Sequence, residues 1–75
     1  MEELLKILND IRPDIDFETK DNLLDSGVID SFDVVMMVPE LNDFYNINIP
    51  IPDINAENFR NVNTILAMIE RIKGS

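Results

Sequence analysis

Residues 27–33 read Gly-Val-Ile-Asp-Ser-Phe-Asp, and a run of helical period begins directly behind them. Asp30 is a good N-cap, because a short carboxylate accepts from amides that a helix start leaves unpaired. Asp33 adds negative charge to the first turn, where the helix dipole favours it. The spacing predicts a helix over 31–45. Val34, Val38, Leu41 and Tyr45 recur at i, i+4, i+7 and i+11 and mark its core face. Phe32, Met36, Pro39, Glu40 and Asp43 form a second strip on roughly the opposite side, starting beside Ser31. Apolar residues gathered on one exposed face point to an interaction surface rather than scattered exposure. Pro39 sits too deep for a first-turn proline, so a local bend at Val35–Pro39 is expected. Ser31 stands at the helix start in a chain with no His and no Cys. With no imidazole to activate it, it is a poor nucleophile and a good acceptor for a group that another enzyme attaches.

Upstream, Leu4, Ile7, Leu8 and Ile11 fall at i, i+3, i+4 and i+7 and predict a helix over 3–11. Arg12 precedes Pro13 and leaves the helical region there. Residues 12–30 keep no sustained period. Ile15, Phe17, Leu23, Leu24, Val28 and Ile29 make this stretch too apolar for a free linker, so it is expected to pack on the core, with a helical turn near 20–24. Downstream, Pro50 and Pro52 exclude regular helix, and 55–59 is expected to form a short one. A last helix is predicted over 62–72, with Asn61 as its N-cap and Val62, Ile65, Leu66, Ile69 and Ile72 as its buried stripe. Arg71, Lys73 and Gly74 suit its exit. The sum is an all-α fold, a small bundle of three to four helices with a long first loop.

The chain is 75 residues long and 45% hydrophobic, which suits one domain, 1–75, with a small core. Its net charge is −9, from 15 acidic and 6 basic residues. Seven of those carboxylates and one lysine lie between Asp14 and Asp33. Such a chain repels nucleic acid and anionic lipid, and its partners should present basic surfaces. No apolar run is long enough for membrane insertion, and Met1-Glu2-Glu3 is acidic where a signal peptide is basic. A cytoplasmic monomer is the expectation.

Asp30-Ser31-Phe32 resembles the Asp-Ser-Leu/Met/Phe signature of acyl carrier proteins, the phosphopantetheine-binding family. The resemblance includes Leu23-Leu24-Asp25-Ser26-Gly27 upstream. Downstream it takes in Leu41, Tyr45, Ile49-Pro50, Asn58-Phe59 and Val62-Asn63-Thr64-Ile65. It spans roughly Leu4 to Ile72. It implies that Ser31 carries 4′-phosphopantetheine, derived from coenzyme A, with an acyl or aminoacyl group as a thioester on the terminal thiol. It implies no catalysis by the domain itself. The implied partners are a phosphopantetheinyl transferase, an adenylating ligase that loads the thiol, and an acyltransferase or synthase that unloads it. The implied docking surface is Phe32, Asp33, Met36, Pro39, Glu40 and Asp43, with Asp30 in the motif. Met36 stands where fatty-acid carriers commonly have Glu. That departure shifts the resemblance toward stand-alone carriers served by adenylating ligases, D-alanyl carriers among them.

Two other classes compete on residues alone. A small acidic helical adaptor would bind a protein partner with no prosthetic group. Asp14, Asp16, Glu18 and Asp25 fall at offsets 1, 3, 5 and 12 of a calcium loop. Offset 6 is Thr19 rather than Gly, and Pro13 interrupts the lead-in helix, so calcium is disfavoured. The lack of His and Cys disfavours a transition-metal site.

Overall fold

A computed structural model describes residues 1–74. Three α-helices occur in the order α1 (Glu2–Ile11), α2 (Ser31–Tyr45) and α3 (Val62–Lys73), with a 3-10 turn at Ile51–Asp53 between the last two. No strand occurs among the described residues. The all-α bundle read from periodicity is therefore the observed fold. α1 packs on both α2 and α3.

Much of the core comes from the connections. Of the fifteen buried apolar residues among those described, Ile15, Phe17, Leu23, Ile29, Ile49 and Phe59 lie outside the helices. Phe17 and Phe59 are the largest fully buried side chains. Full burial of a side chain of this size contributes roughly 1.5–3 kcal/mol, so the loops are structural members. The radius of gyration, 11.2 Å, matches the ~11 Å of a compact chain of this length, as loops folded onto the helices require.

The long first connection is sewn to the start of α3. The Leu23 amide donates to the Arg60 carbonyl at 2.9 Å. The Asp21 carboxylate accepts from Asn61 Nδ2 at 2.8 Å and from Arg60 Nε at 3.2 Å. Where a helical turn near 20–24 was expected, a hydrogen-bonded turn covers 23–27, closed by Ser26 N–H to the Asn22 carbonyl at 2.7 Å. Gly27 takes φ +82 with open space around its missing Cβ, so backbone conformation and not crowding calls for glycine. The chain then passes through the buried Ile29 to Asp30.

Local chemistry sets the remaining boundaries. Arg12 leaves the helix at φ −132 and ψ 80, as the following proline demands. Asn46 adopts φ 55 at the end of α2, and the Asn42 side chain accepts from the Ile49 amide at 3.0 Å, turning the chain back into the core. Asn61 and Thr64 form a reciprocal capping box for α3. Gly74 closes α3 in the right-handed region, without the left-handed turn usual for a terminal glycine.

Two expectations are corrected. Residues 55–59 are a turn and not a helix. The Asn55 side chain accepts from the Asn58 amide at 2.8 Å, and Asn58 Nδ2 donates to the Asp53 carbonyl at 2.8 Å. The Phe59 amide closes one i to i+4 backbone bond on the Asn55 carbonyl at 3.1 Å, and the segment goes no further than that single turn. The helix lies earlier, as the 3-10 turn with Pro52 in its first positions, where a proline loses no bond. The second correction concerns Pro39. α2 runs unbroken from Ser31 to Tyr45 with Pro39 inside it, so the expected disruption does not interrupt the helix. Pro39 is exposed and Val35 is 67% exposed, so the Val35 carbonyl left without an amide partner lies on the solvent side.

Removing that defect should stabilise the fold. Pro39→Ala is expected to raise the melting temperature. The gain is bounded by the interior-proline cost of about 3 kcal/mol and reduced by the freer unfolded chain. Thermal melts followed by circular dichroism check the sign.

The ties of the first loop should make stability acid-sensitive. The Asp21 carboxyl is held below its ordinary value of 3.8, first by the Asn61 side chain, then by the Asn22 backbone and Arg60. Asp14 is lowered too, chiefly by the Arg12 side chain. A carboxyl depressed in the folded state contributes stability above its unfolded pKa and loses it as pH falls through the folded value. Asp21→Asn should melt below the unaltered chain at neutral pH. The gap should close as pH drops below about 4. A gap constant from neutral to about pH 2 would assign the loss to packing alone.

Candidate functional site

The site is built at the junction of the first connection and α2. Asp30 is extended, with φ −125 and ψ −177, and its carboxylate accepts from the Asp33 amide at 3.0 Å. Asp33 returns the bond, its Oδ2 accepting from the Asp30 amide at 3.1 Å. This capping box holds the first turn of α2 from both ends. Ser31 is the first helical residue and is exposed. No hydrogen bond among the described residues engages its hydroxyl. The amides at the helix start that have no intrahelical acceptor lie next to it, so an anion attached there meets donors and the positive end of the dipole. A free hydroxyl beside these amides fits a phosphodiester.

Asp33 is where the structure departs most from the expected docking surface. It is 6% exposed and is the buried charged residue of the described chain. Its carboxylate also accepts from Arg12 Nη1 at 2.6 Å. Arg12 meanwhile forks onto Asp14 through Nε at 3.0 Å and Nη2 at 2.9 Å. Its guanidinium is raised above its ordinary pKa, first by the Asp14 bond and further by the charges of Asp14 and Asp33, against some burial. Asp33 therefore faces inward and braces the helix start, because a carboxylate at N3 also finds the Asp30 amide and the end of α1. Arg12 carried no signal in the sequence beyond its place before Pro13.

The other strip residues do lie together on the outside. Phe32 is 69% exposed and Met36 43%, and Pro39, Glu40 and Asp43 are exposed. Val35, missed from the sequence, belongs between them, one turn from Phe32. On the inner face Val34, Met37 and Leu41 are buried, and Val38 and Tyr45 are half-buried. Met37 was legible in principle as i+3 from Val34. α2 is thus apolar on two faces, of which the core covers one.

No three ligating residues gather in a metal-binding cluster among the described residues. Asp14 is committed to Arg12, and Asp16 accepts from the Thr19 hydroxyl at 3.0 Å. Among the same residues no helix is long and apolar enough to cross a membrane.

This geometry agrees with the comparisons. Residues 1–71 match the family described as "Phosphopantetheine attachment site". The chain belongs to that family: it is a carrier protein bearing covalent 4′-phosphopantetheine, and not an enzyme. It is similar to the D-alanyl carrier protein of Leuconostoc citreum, with 31% identity covering 97% of this chain and 95% of the relative. The D-alanyl carrier protein of Lactobacillus acidophilus is 31% identical over 93% of this chain and 90% of its own. That of Streptococcus mutans is 26% identical over 97% and 94%. A carrier of this kind works with partner enzymes such as transferases and ligases.

Proposed function

We propose that Ser31 is the attachment residue, that the chain acts as one carrier domain, and that its cargo is an amino acid, with D-alanine the first candidate. The observation that carries the reading is the exposed, unengaged Ser31 hydroxyl at the capped start of α2. The prosthetic group supplies a thiol on a flexible arm, which holds the cargo as a thioester. The protein's own residues do the presenting. Asp30 and Asp33 fix the helix start. The Ser31 oxygen bonds to the coenzyme A phosphate that carries the pantetheine, and adenosine bisphosphate leaves. The proton passes to a base of the phosphopantetheinyl transferase. The donors at the head of α2 then face the phosphodiester.

The outward strip of α2 is the docking face in this reading. Phe32, Val35, Met36 and Pro39 offer apolar contact, and Glu40 and Asp43 offer charge to a basic partner. The partners are the transferase, an adenylating ligase that loads an amino acid, and an acyltransferase that removes it. A cytoplasmic monomer suits such a shuttle. The relatives named as D-alanyl carriers support the cargo, and Met36 within an apolar strip supports a partner set distinct from that of fatty-acid synthesis.

Incubation with coenzyme A and a broad-specificity transferase should add one phosphopantetheine to the chain, with the peptide containing Ser31 carrying it. Ser31→Ala should keep its fold and its melting temperature, because Asp30 does the capping, and should take up no mass. An adduct on the Ala variant would sink the assignment. The absence of an adduct on the unaltered chain would overturn Ser31 as the acceptor. Loading of the modified chain by D-alanine ligase, followed by intact mass, tests the cargo.

Met36→Glu should lower use by the ligase or acyltransferase more than use by the transferase. The substitution places a charge where an apolar contact would be desolvated. Side-by-side kinetics with each partner decide, and equal losses with all of them would count against a partner-specific strip.

A further inference from the structure

The inward face of the same helix turn holds a contact that the carrier role leaves without a task. Asp33 Oδ2 receives two donors, Arg12 Nη1 at 2.6 Å and the Asp30 amide at 3.1 Å. On a helix of 3.6 residues per turn, Asp33 and Ser31 lie roughly 200° apart. Anchoring Asp33 inward therefore turns Ser31 outward. Arg12 ends α1, its own amide donating to the Leu8 carbonyl at 2.9 Å. Its guanidinium is held on a second side by both oxygens of Asp14. The fork is thus fixed before it reaches Asp33, and the end of α1 is tied to the first turn of α2. Charge points the same way. A phosphodiester on Ser31 joins Asp30 and Asp33 in one helix turn, and Arg12 is the cation bonded to that turn.

We propose that Arg12 is a positioning residue for modification of Ser31: acting through the buried Asp33 carboxylate, it fixes the first turn of α2 and so the direction in which the Ser31 hydroxyl meets the transferase. This rests on Ser31 being the attachment residue. The side-chain partners of Arg12 are Asp14 and Asp33, and none is Ser31. Its effect is one of orientation, and it differs from simple stabilisation in a way that kinetics can read. A partly unfolded carrier lowers the concentration of usable substrate, which raises the apparent KM and leaves kcat at saturation. A misdirected hydroxyl on a folded carrier lowers kcat and leaves KM, because the outward strip still docks.

The test measures transfer from coenzyme A by a broad-specificity transferase to the unaltered chain and to Arg12→Met, Arg12→Lys, Asp33→Asn and the Met/Asn double variant, with thermal melts of each. Arg12→Met should lose about tenfold in kcat with little change in KM. Arg12→Lys should recover part of it, since an ammonium keeps the charge without the fork. The double variant should have a kcat no lower than the worse single variant, because the two residues act as one unit. If Arg12→Met does not fold, Arg12→Lys and Asp33→Asn are read by the same kcat and KM criterion. An unchanged kcat with only KM raised, or losses that multiply in the double variant, would overturn the inference. Failure of the unaltered chain to accept phosphopantetheine would instead overturn the Ser31 reading, and this inference with it.

Discussion

One carboxylate organises the molecule. Asp33 lies inside a small protein whose net charge is −9, and it is tolerated there because all that it needs is supplied. Arg12 offers charge and a short hydrogen bond, and the Asp30 amide offers a second donor. A buried ion pair is not in itself a large source of stability. Removing one partner, however, leaves an unmatched charge and costs more than the pair contributes. The pair therefore acts mainly as a register. It ties the end that Pro13 gives α1 to the first turn that the Asp30–Asp33 capping box gives α2.

The rest of the architecture makes that register rigid. Four of the buried apolar residues, Ile15, Phe17, Leu23 and Ile29, come from the connection before Ser31, so that stretch cannot drift away from the helices. Leu23 and Asp21 bind it to the start of α3, and Ile29 plugs into the core one residue before Asp30. A carrier must present one attachment point, and then the arm fixed to it, to several enzymes in turn. A loop with fixed ends achieves this better than a free one, because each partner meets the same geometry. The opposite face of α2 stays apolar and exposed, which is a cost in solubility. The acidic surface around it offsets that cost.

Helix periodicity made most of this legible. The three α-helices and their two N-caps follow from spacing and from Asp30 and Asn61, because both signals are local. The Ser31 neighbourhood was legible too, since a capped serine followed by an amphipathic run needs no tertiary information to stand out. Val35 and Met37 were missed because a helix apolar on two sides has no single stripe. Residues 55–59 read as a short helix by pattern but close only one turn, Phe59 N–H on the Asn55 carbonyl, before the chain reaches the Asn61 cap of α3. At Pro39 the sequence marked a missing amide, and α2 carries that proline without a break, with Val35 and Pro39 both on the exposed side.

By itself the sequence determined the helices and the capped serine, since each rests on residues within a few positions of one another, and the family signature, which is read from residue types along the chain without their contacts. Only the tertiary structure decided what Asp33 does. A carboxylate at N3 reads the same whether it faces solvent or core. Its role depends on a guanidinium brought from 21 positions away, at the end of another helix. Nothing local marks that meeting. Packing of α1 against α2 creates it, and desolvation makes it matter.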